Sequence, residues 1–332
     1  MIDLPLVWAI IIASAVLAYA LLDGFDLGVG ILFPFFNDQQ KGVAVHTIAP
    51  IWDGNETWLV LGGGGLLAAF PLAYSSLLSA FYAPVIAMLL ALVFRGVSLE
   101  YREKTKRGRF FWDTGFWLGS VVAAFCQGVM LGAFIQGVDV TDRVYSGGWF
   151  DWLTPYSITC GIAIVSGYAL LGGTWITMKT HGLAERITPL LLPMVGTVFF
   201  FIALISSWTP FLDDRLTERW FALPNFIWLT PIPLLVVGVT LLLVRAVQTG
   251  AEQKSFYLAE ALFVVTFIGF GISTYPYIVP HGITIWDAAA PDSSLSFLLV
   301  GTVVLLPLII IYTVHSYWVF RGKVHDESSY LK

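Results

Sequence analysis

The chain has 332 residues, 58% of them hydrophobic and only 12% charged, with a mean hydropathy of +0.81 and a net charge of −5 at pH 7. Soluble domains carry about 25% charged residues, so this composition excludes a soluble globular fold and points to an integral membrane protein. The net charge says little about the partners of a membrane protein; no nucleic-acid partner is expected.

Crossing a bilayer takes about 20 apolar residues. Runs of that length free of Asp, Glu, Lys and Arg occupy 4–22, 57–94, 114–138, 152–178, 187–212, 220–244, 261–286 and 293–320. The first continues past its acids to about Phe36, and the run 57–94 turns at Phe70-Pro71 and so holds two helices. Nine transmembrane helices result. With the N-terminus outside, the inner ends and loops hold Lys41, Arg95, Arg102, Lys104, Lys106, Arg107, Arg109, Lys179, Arg186, Arg245, Lys254, Arg321, Lys323 and Lys332. The outer loops hold only Arg143, Arg215 and Arg219, a split of 14 to 3 that satisfies the positive-inside rule. No basic residue precedes the first span, so it reads as a membrane helix and not as a cleavable signal.

"YALLDG" at 19–24 returns as "YALLGG" at 168–173, and "ALVFRG" at 91–96 is echoed by "LLLVRA" at 241–246, at offsets of 149 and 150 residues. Both members of each pair run from outside to inside, which predicts two parallel four-helix repeats plus one additional C-terminal helix. The expected units are a first bundle over 1–136, a second over 137–286, and a ninth helix with a cytoplasmic tail over 287–332.

Charge inside these spans is concentrated. Asp23 and Asp26 are three residues apart and share a helix face, as do Asp53 and Glu56 in "WDGNETW". Arg95 closes the third predicted helix and Asp113 opens the fourth, so the first repeat gathers five acids and one arginine in its inner half. The second repeat keeps only Arg245 and Glu260 in comparable places. An unpaired charge in hydrocarbon costs several kcal/mol, so these groups face a partner helix or water. Two roles fit: ion pairs and helix caps that fix packing, or a proton-conducting path open to the inner side. Trp52 and Trp58 flank the second acid pair, as interfacial belt residues or as the wall of a polar cavity.

A membrane haem needs two axial ligands facing each other inside a bundle. His46, His181 and His325 fall in loops or the tail, His281 lies at the outer fringe, and only His315 sits well within a span. The chain is therefore expected to hold no haem or metal on its own. Cys126 and Cys160 are isolated and read as small packing residues. "LGGGGLL" at 61–67 lacks the lysine and strand–helix setting of a phosphate loop and reads as a close helix contact.

"LDGFDLGVGIL", "IAPIWDGNETWLVLGGG", "AAFPLAYS", "FRGVSLEYR" and "FWDTGFWLGS" together resemble subunit II of the cytochrome bd-type quinol oxidases, over the whole chain. The short C-terminal half and "WDGNETWLVLGG" are most similar to the cyanide-insensitive branch. The resemblance implies a heterodimer with a larger haem-bearing subunit I in the bacterial inner membrane, with this chain's N-terminus periplasmic and its C-terminus cytoplasmic. Subunit I would hold the b-type and d-type haems and the quinol site, while this subunit binds none. A small third subunit is compatible with the family, and lipid and quinone are its other partners. The implied reaction oxidises quinol, reduces O2 to water and generates a proton-motive force. Family positions tied to proton delivery and to the oxygen-reducing haem's environment fall on Asp26, Trp52, Asp53, Arg95 and Asp113, with Asp23 and Glu56 joining them by spacing. A secondary transporter or a cofactor-free membrane scaffold are the alternatives; a transporter should spread its acids over both halves and break its helices at mid-membrane.

Overall fold

The structure is a computed structural model that describes residues 2–105, 107–280 and 282–324. The expectations placed on Lys106, His281, His325 and Lys332 lie outside the described residues. The fold is all-helical, with α1 (Leu4–Leu32), α2 (Asp38–Ile48), α3 (Trp52–Ala69), α4 (Pro71–Ala80), α5 (Tyr82–Lys104) and α6 (Arg109–Gln136) in its first part. There follow α7 (Pro155–Lys179), α8 (Gly182–Trp208), α9 (Asp214–Phe221), α10 (Asn225–Leu229), α11 (Pro231–Gln248), α12 (Glu252–Thr274), α13 (Ile285–Ala288) and α14 (Asp292–Val319). Two short antiparallel hairpins, β1 (Val140–Thr141) with β2 (Val144–Tyr145) and β3 (Tyr277–Val279) with β4 (Ile283–Thr284), lie in the connections after α6 and α12.

Eight described helices are long and apolar enough to cross a membrane. The stretch Trp52–Ala69 is not among them: its 18 residues, about 27 Å of helix, carry Asp53, Glu56 and the glycine run. The ends of α1, α5 and α7, with Lys179, Arg102 and Lys104, define what is called below the basic end; the hairpins mark the far end.

Prolines explain where the helices depart from the apolar runs. The run 57–94 breaks at Phe70-Pro71 as expected, and breaks a second time at Phe81, giving α3, α4 and α5 where two helices were predicted. Pro71 starts α4 at a position where no amide donor is needed, whereas Pro84 has no N–H to continue the α4 ladder and its ring would strike the carbonyl four residues back. The crossing helix therefore starts at Tyr82, and α4 packs beneath the hairpins at the far end. Similarly, the run 220–244 yields α11 only from Pro231, after the short α9 and α10, and the run 261–286 stops at Thr274, before Pro276. Capping boxes fix other starts: Asn37 with Gln40 for α2, Thr154 with Ser157 for α7, and Thr284 with Asp287 for α13. On that last exposed turn, the Thr284 hydroxyl and amide hold the Asp287 carboxyl below its usual range.

The core lies where α1 crosses α7. Every residue from Asp23 to Leu32 is buried, and so are Gly167 to Tyr168 and Leu170 to Thr177. A methyl group on Gly28 would lie 1.9 Å from the Tyr168 carbonyl oxygen and 2.6 Å from the Gly172 nitrogen, so these two backbones touch only because both residues are glycine. By contrast, α14 has Leu295 as its one buried residue and is held mainly at its ends. The Trp8 indole N–H donates to the Leu295 carbonyl at 3.1 Å; at the basic end Lys179 Nζ donates to the Gly322 carbonyl at 3.3 Å, and Lys323 Nζ pairs with Glu252 at 2.6 Å.

Candidate functional site

The close α1–α7 crossing buries the C-terminal half of α1 completely, and with it Asp23 and Asp26, both at 0% exposure. Their counter-charge comes from α5. Arg95, also 0% exposed, brings Nη2 to 2.7 Å from Asp23 Oδ1 and 4.0 Å from Asp26 Oδ2, and Nη1 to 3.7 Å from Glu56 Oε2 of α3. The Arg95–Asp23 contact is ionic in distance but lies outside hydrogen-bond angles, so all three guanidinium nitrogens retain unused donors. The Trp52 ring covers the guanidinium at 5.8 Å, and Gly96 leaves room for that ring. Asp26 is fixed from a second side: Asn55 Nδ2 donates to its Oδ2 at 2.7 Å and to the Leu22 carbonyl at 3.1 Å, while the Tyr317 hydroxyl donates to Asn55 Oδ1 at 3.0 Å.

Three carboxyls face one guanidinium. Fully ionised, the group would hold an uncompensated charge of −2 in a medium that tolerates none, so it is stable only with protons on its carboxyls or with water at its edge. That edge is Glu56, whose side chain is 27% exposed, one helical turn along α3 from the exposed Asp53. The acids thus form a series from surface to interior: Asp53 exposed, Glu56 partly buried, Asp23 and Asp26 closed off.

The structure separates Asp113 from this group. Asp113 Oδ1 accepts from Arg102 Nε at 2.6 Å and Oδ2 from Lys41 Nζ at 2.8 Å, which ties the start of α6 to α5 and α2. Here two cations meet one acid, the reverse of the balance around Arg95. Of the seven sequence candidates, Asp23, Asp26, Glu56, Arg95 and Trp52 come together, Asp53 stands at the approach, and Asp113 is elsewhere. Asn55 and Tyr317 were not read from the sequence. A polar residue inside a span is a signal for Asn55; nothing in the sequence pairs it with Tyr317, 262 positions away. Tyr19 and Tyr168, the two tyrosines of the repeated hexapeptide, meet at one side chain: Gln127 Nε2 donates to the Tyr19 hydroxyl at 2.9 Å, and the Tyr168 hydroxyl donates to Gln127 Oε1 at 2.8 Å.

The described histidines, His46, His181 and His315, are all exposed. Among the described residues no three His, Cys, Asp or Glu side chains are grouped as metal ligands. Cys126 and Cys160 are free and buried.

Fold and site define a multi-pass membrane subunit whose buried polar chemistry is an acid-rich ion-pair cluster held between four helices. More particularly, the chain belongs to the cytochrome bd terminal oxidase subunit II family, whose pattern matches residues 4–320. It is 31% identical over 365 aligned positions to cytochrome bd-I ubiquinol oxidase subunit 2 of Escherichia coli strain K12, covering 98% of this chain and 96% of that one. It is 29% identical over 333 positions to cytochrome bd ubiquinol oxidase subunit 2 of Bacillus subtilis strain 168, covering 96% and 97% respectively. Its fold matches a solved chain of the bd oxidase from Geobacillus thermodenitrificans with a TM-score of 0.79 over 96% of this chain and 99% of that chain, at 16% identity.

Proposed function

We propose that the chain is the haem-free subunit of a quinol:O2 oxidoreductase in the bacterial inner membrane, paired with a haem-bearing subunit I, and that it supplies protons from the cytoplasmic side for reduction of O2 to water. The observation that carries this reading is the graded acid series ending at a buried guanidinium with more carboxyl than it can neutralise. A purely structural ion pair leaves no carboxyl short of a counter-charge, as at Asp113, which Lys41 and Arg102 both face. In the series, Asp53 takes a proton from water, Glu56 passes it inward, and Asp23 and Asp26 hold it beside Arg95, whose fixed positive charge keeps the carboxyls exchangeable. Trp52 closes the guanidinium from the side. Asn55 and Tyr317 orient Asp26. Asp113 clamps α2, α5 and α6 at the basic end.

The haems belong to the partner in this reading. A b-type haem needs an imidazole pair inside a bundle, and every described histidine is exposed, so the described residues do not fit such a group. The short, glycine-bearing α3 is taken as the ninth crossing, supported by its packing between α1 and α14. The two-repeat arrangement draws support from the hexapeptide echo: its tyrosines share Gln127, and α1 and α7 cross next to them at Gly28 and Gly172. On this arrangement 1–136 and 137–286 are the two bundles, 287–332 follows them, and the basic end faces the cytoplasm with the N-terminus outside.

Purification of the chain with the proteins it assembles with tests the reading. A reduced-minus-oxidised spectrum with b-type and d-type bands, together with quinol-dependent O2 uptake, is expected of the complex, while the chain expressed alone is expected to be colourless. Stoichiometric haem on the isolated chain, or a complex without quinol oxidase activity, contradicts it.

A further inference from the structure

The acid series leaves one further carboxyl unused, on a half-buried residue whose Oε2 is closed off. Glu260 lies on α12, eight residues or about 12 Å from that helix's start at Glu252 at the basic end. Asp23 and Arg95 lie nine residues, about 13 Å, from the same end of α1 and α5, so all three occupy one layer. Phe256, Glu260 and Phe263 fall at i, i+4 and i+7 and share one face of α12. That face meets an aromatic wall. Phe256 lies 5.7 Å from Phe25 and 5.3 Å from Trp175, and Phe263 stacks on Tyr168 at 5.8 Å. Tyr317 closes the same wall, 6.4 Å from Phe25 and 6.3 Å from Trp175. Within this box Glu260 Oε2 and Trp175 Nε1 are both shut off from solvent and without a hydrogen-bond partner.

The titratable groups facing Glu260 are Tyr168 from α7 and Tyr317 from α14, and the hydroxyl protons of both are already committed to amides. Tyr168 donates to Gln127, whose amide donates to Tyr19, one turn before Asp23 on α1; Tyr317 donates to Asn55, whose amide donates to Asp26. Arg245, the cation that the sequence echo sets opposite Arg95, is exposed at the end of α11 and offers no counter-charge. A carboxylate here would be both unpaired and adjacent to the excess negative charge of the Arg95 cluster.

We propose that Glu260 is a second proton-holding acid of the quinol oxidase, set across the α1–α7 seam from the Arg95 cluster and coupled to it by charge through the Tyr168–Gln127 and Tyr317–Asn55 bridges. It rests on the proton-uptake reading of that cluster. An amide donates and accepts hydrogen bonds but does not readily give up its own proton, so the bridges transmit polarisation and keep the two proton stores distinct. When the cluster releases a proton, the field at Glu260 becomes more negative and its O–H bond is held more tightly.

Redox-difference infrared spectroscopy on the assembled oxidase tests the proposal. A C=O stretch of a protonated carboxylic acid is expected in the wild type, lost in Glu260→Gln, and displaced in Asp26→Asn. A spectrum unchanged by Glu260→Gln overturns the proposal, as does a Glu260 band that Asp26→Asn leaves in place. If Glu260→Gln fails to assemble, the wild-type complex is treated with a hydrophobic carbodiimide, which attacks protonated intramembrane carboxyls. An adduct on Glu260 is expected by mass spectrometry, and its absence overturns the proposal. O2 uptake per haem is the separate readout for the uptake path: normal turnover in Asp26→Asn strikes that path, whatever the Glu260 band does.

Discussion

Arg95 and Asp113 stand in ion-pair clusters of opposite charge balance within one membrane protein. Around Asp113 positive charge is in excess, and Arg102, itself 3% exposed, depends on that one carboxylate. Removing one partner of a buried pair costs about 3–5 kcal/mol because the other charge stays behind. Asp113→Asn should therefore lower the yield and melting temperature of the assembled complex while leaving O2 turnover per haem close to wild type. Asp53 should behave in the opposite manner. It is exposed, no helix depends on its side chain for a cap, and Asp53→Asn keeps its shape. That complex should assemble, with quinol oxidase turnover lowered about tenfold or more, and Asp53→Glu should recover part of it. At this scale the sequence was informative wherever chemistry and helical spacing coincide: Asp23 and Asp26, three apart, and Glu56 of the second pair converge on Arg95, while Asp53 stays exposed one turn away. It was uninformative about which acid is balanced by which cation. Lys41 and Arg102 look like ordinary inner-face positive charge until α2, α5 and α6 fold together over Asp113.

Helices in this molecule approach one another as closely as their glycines permit. Gly28→Ala would force a methyl group into the Tyr168 carbonyl and the Gly172 amide, which are backbone atoms with nowhere to go, so α1 and α7 must part. Loss of assembled, haem-bearing complex is expected. Gly64→Ala, in the glycine run of α3, meets nothing within 4 Å and should leave assembly intact, gaining up to about 1 kcal/mol of helix propensity. Immunoblot of the membrane fraction against haem content checks both variants. The contrast also marks a limit of the sequence. "LGGGGLL" is the more conspicuous glycine pattern and does meet α1, at Gly62 against Val16 and Gly65 against Ile12, while Gly63 and Gly64 face open space; the tightest crossing is made by single glycines in "DLGVG" and "LLGGT". Apolar runs likewise predicted nine crossings, where eight described helices are long and apolar enough to cross, and they misplaced where several begin. Pro84, Pro231 and Pro276 set those boundaries through a missing N–H, which a count of charged residues does not register.

At the scale of the whole molecule, the proposed proton chemistry lies on one side. The acid series, the Asp113 clamp and the lysines that anchor the end of α14 all lie toward the basic end. If that end faces the cytoplasm, a membrane-impermeant maleimide added to intact spheroplasts should label Ser146→Cys, exposed just after β2, and should not label Arg107→Cys between α5 and α6. The buried Cys126 and Cys160 should give little background. Labelling of Arg107→Cys from outside would invert the orientation and remove the cytoplasmic source of protons. The family was legible from five motifs in the sequence, four of which carry the charged residues of the spans; the box around Glu260 was not legible, since it is assembled from aromatic side chains of four helices that any apolar span could carry. The central claim is that the carboxyls beside Arg95 carry protons and do not merely neutralise it. Quinol-dependent O2 uptake per d-type haem in the assembled Asp26→Asn complex tests this most directly, because asparagine keeps the hydrogen bond from Asn55 and removes only the titratable group. A fall of about 100-fold is predicted; turnover near that of the wild type in a fully assembled complex would contradict the account.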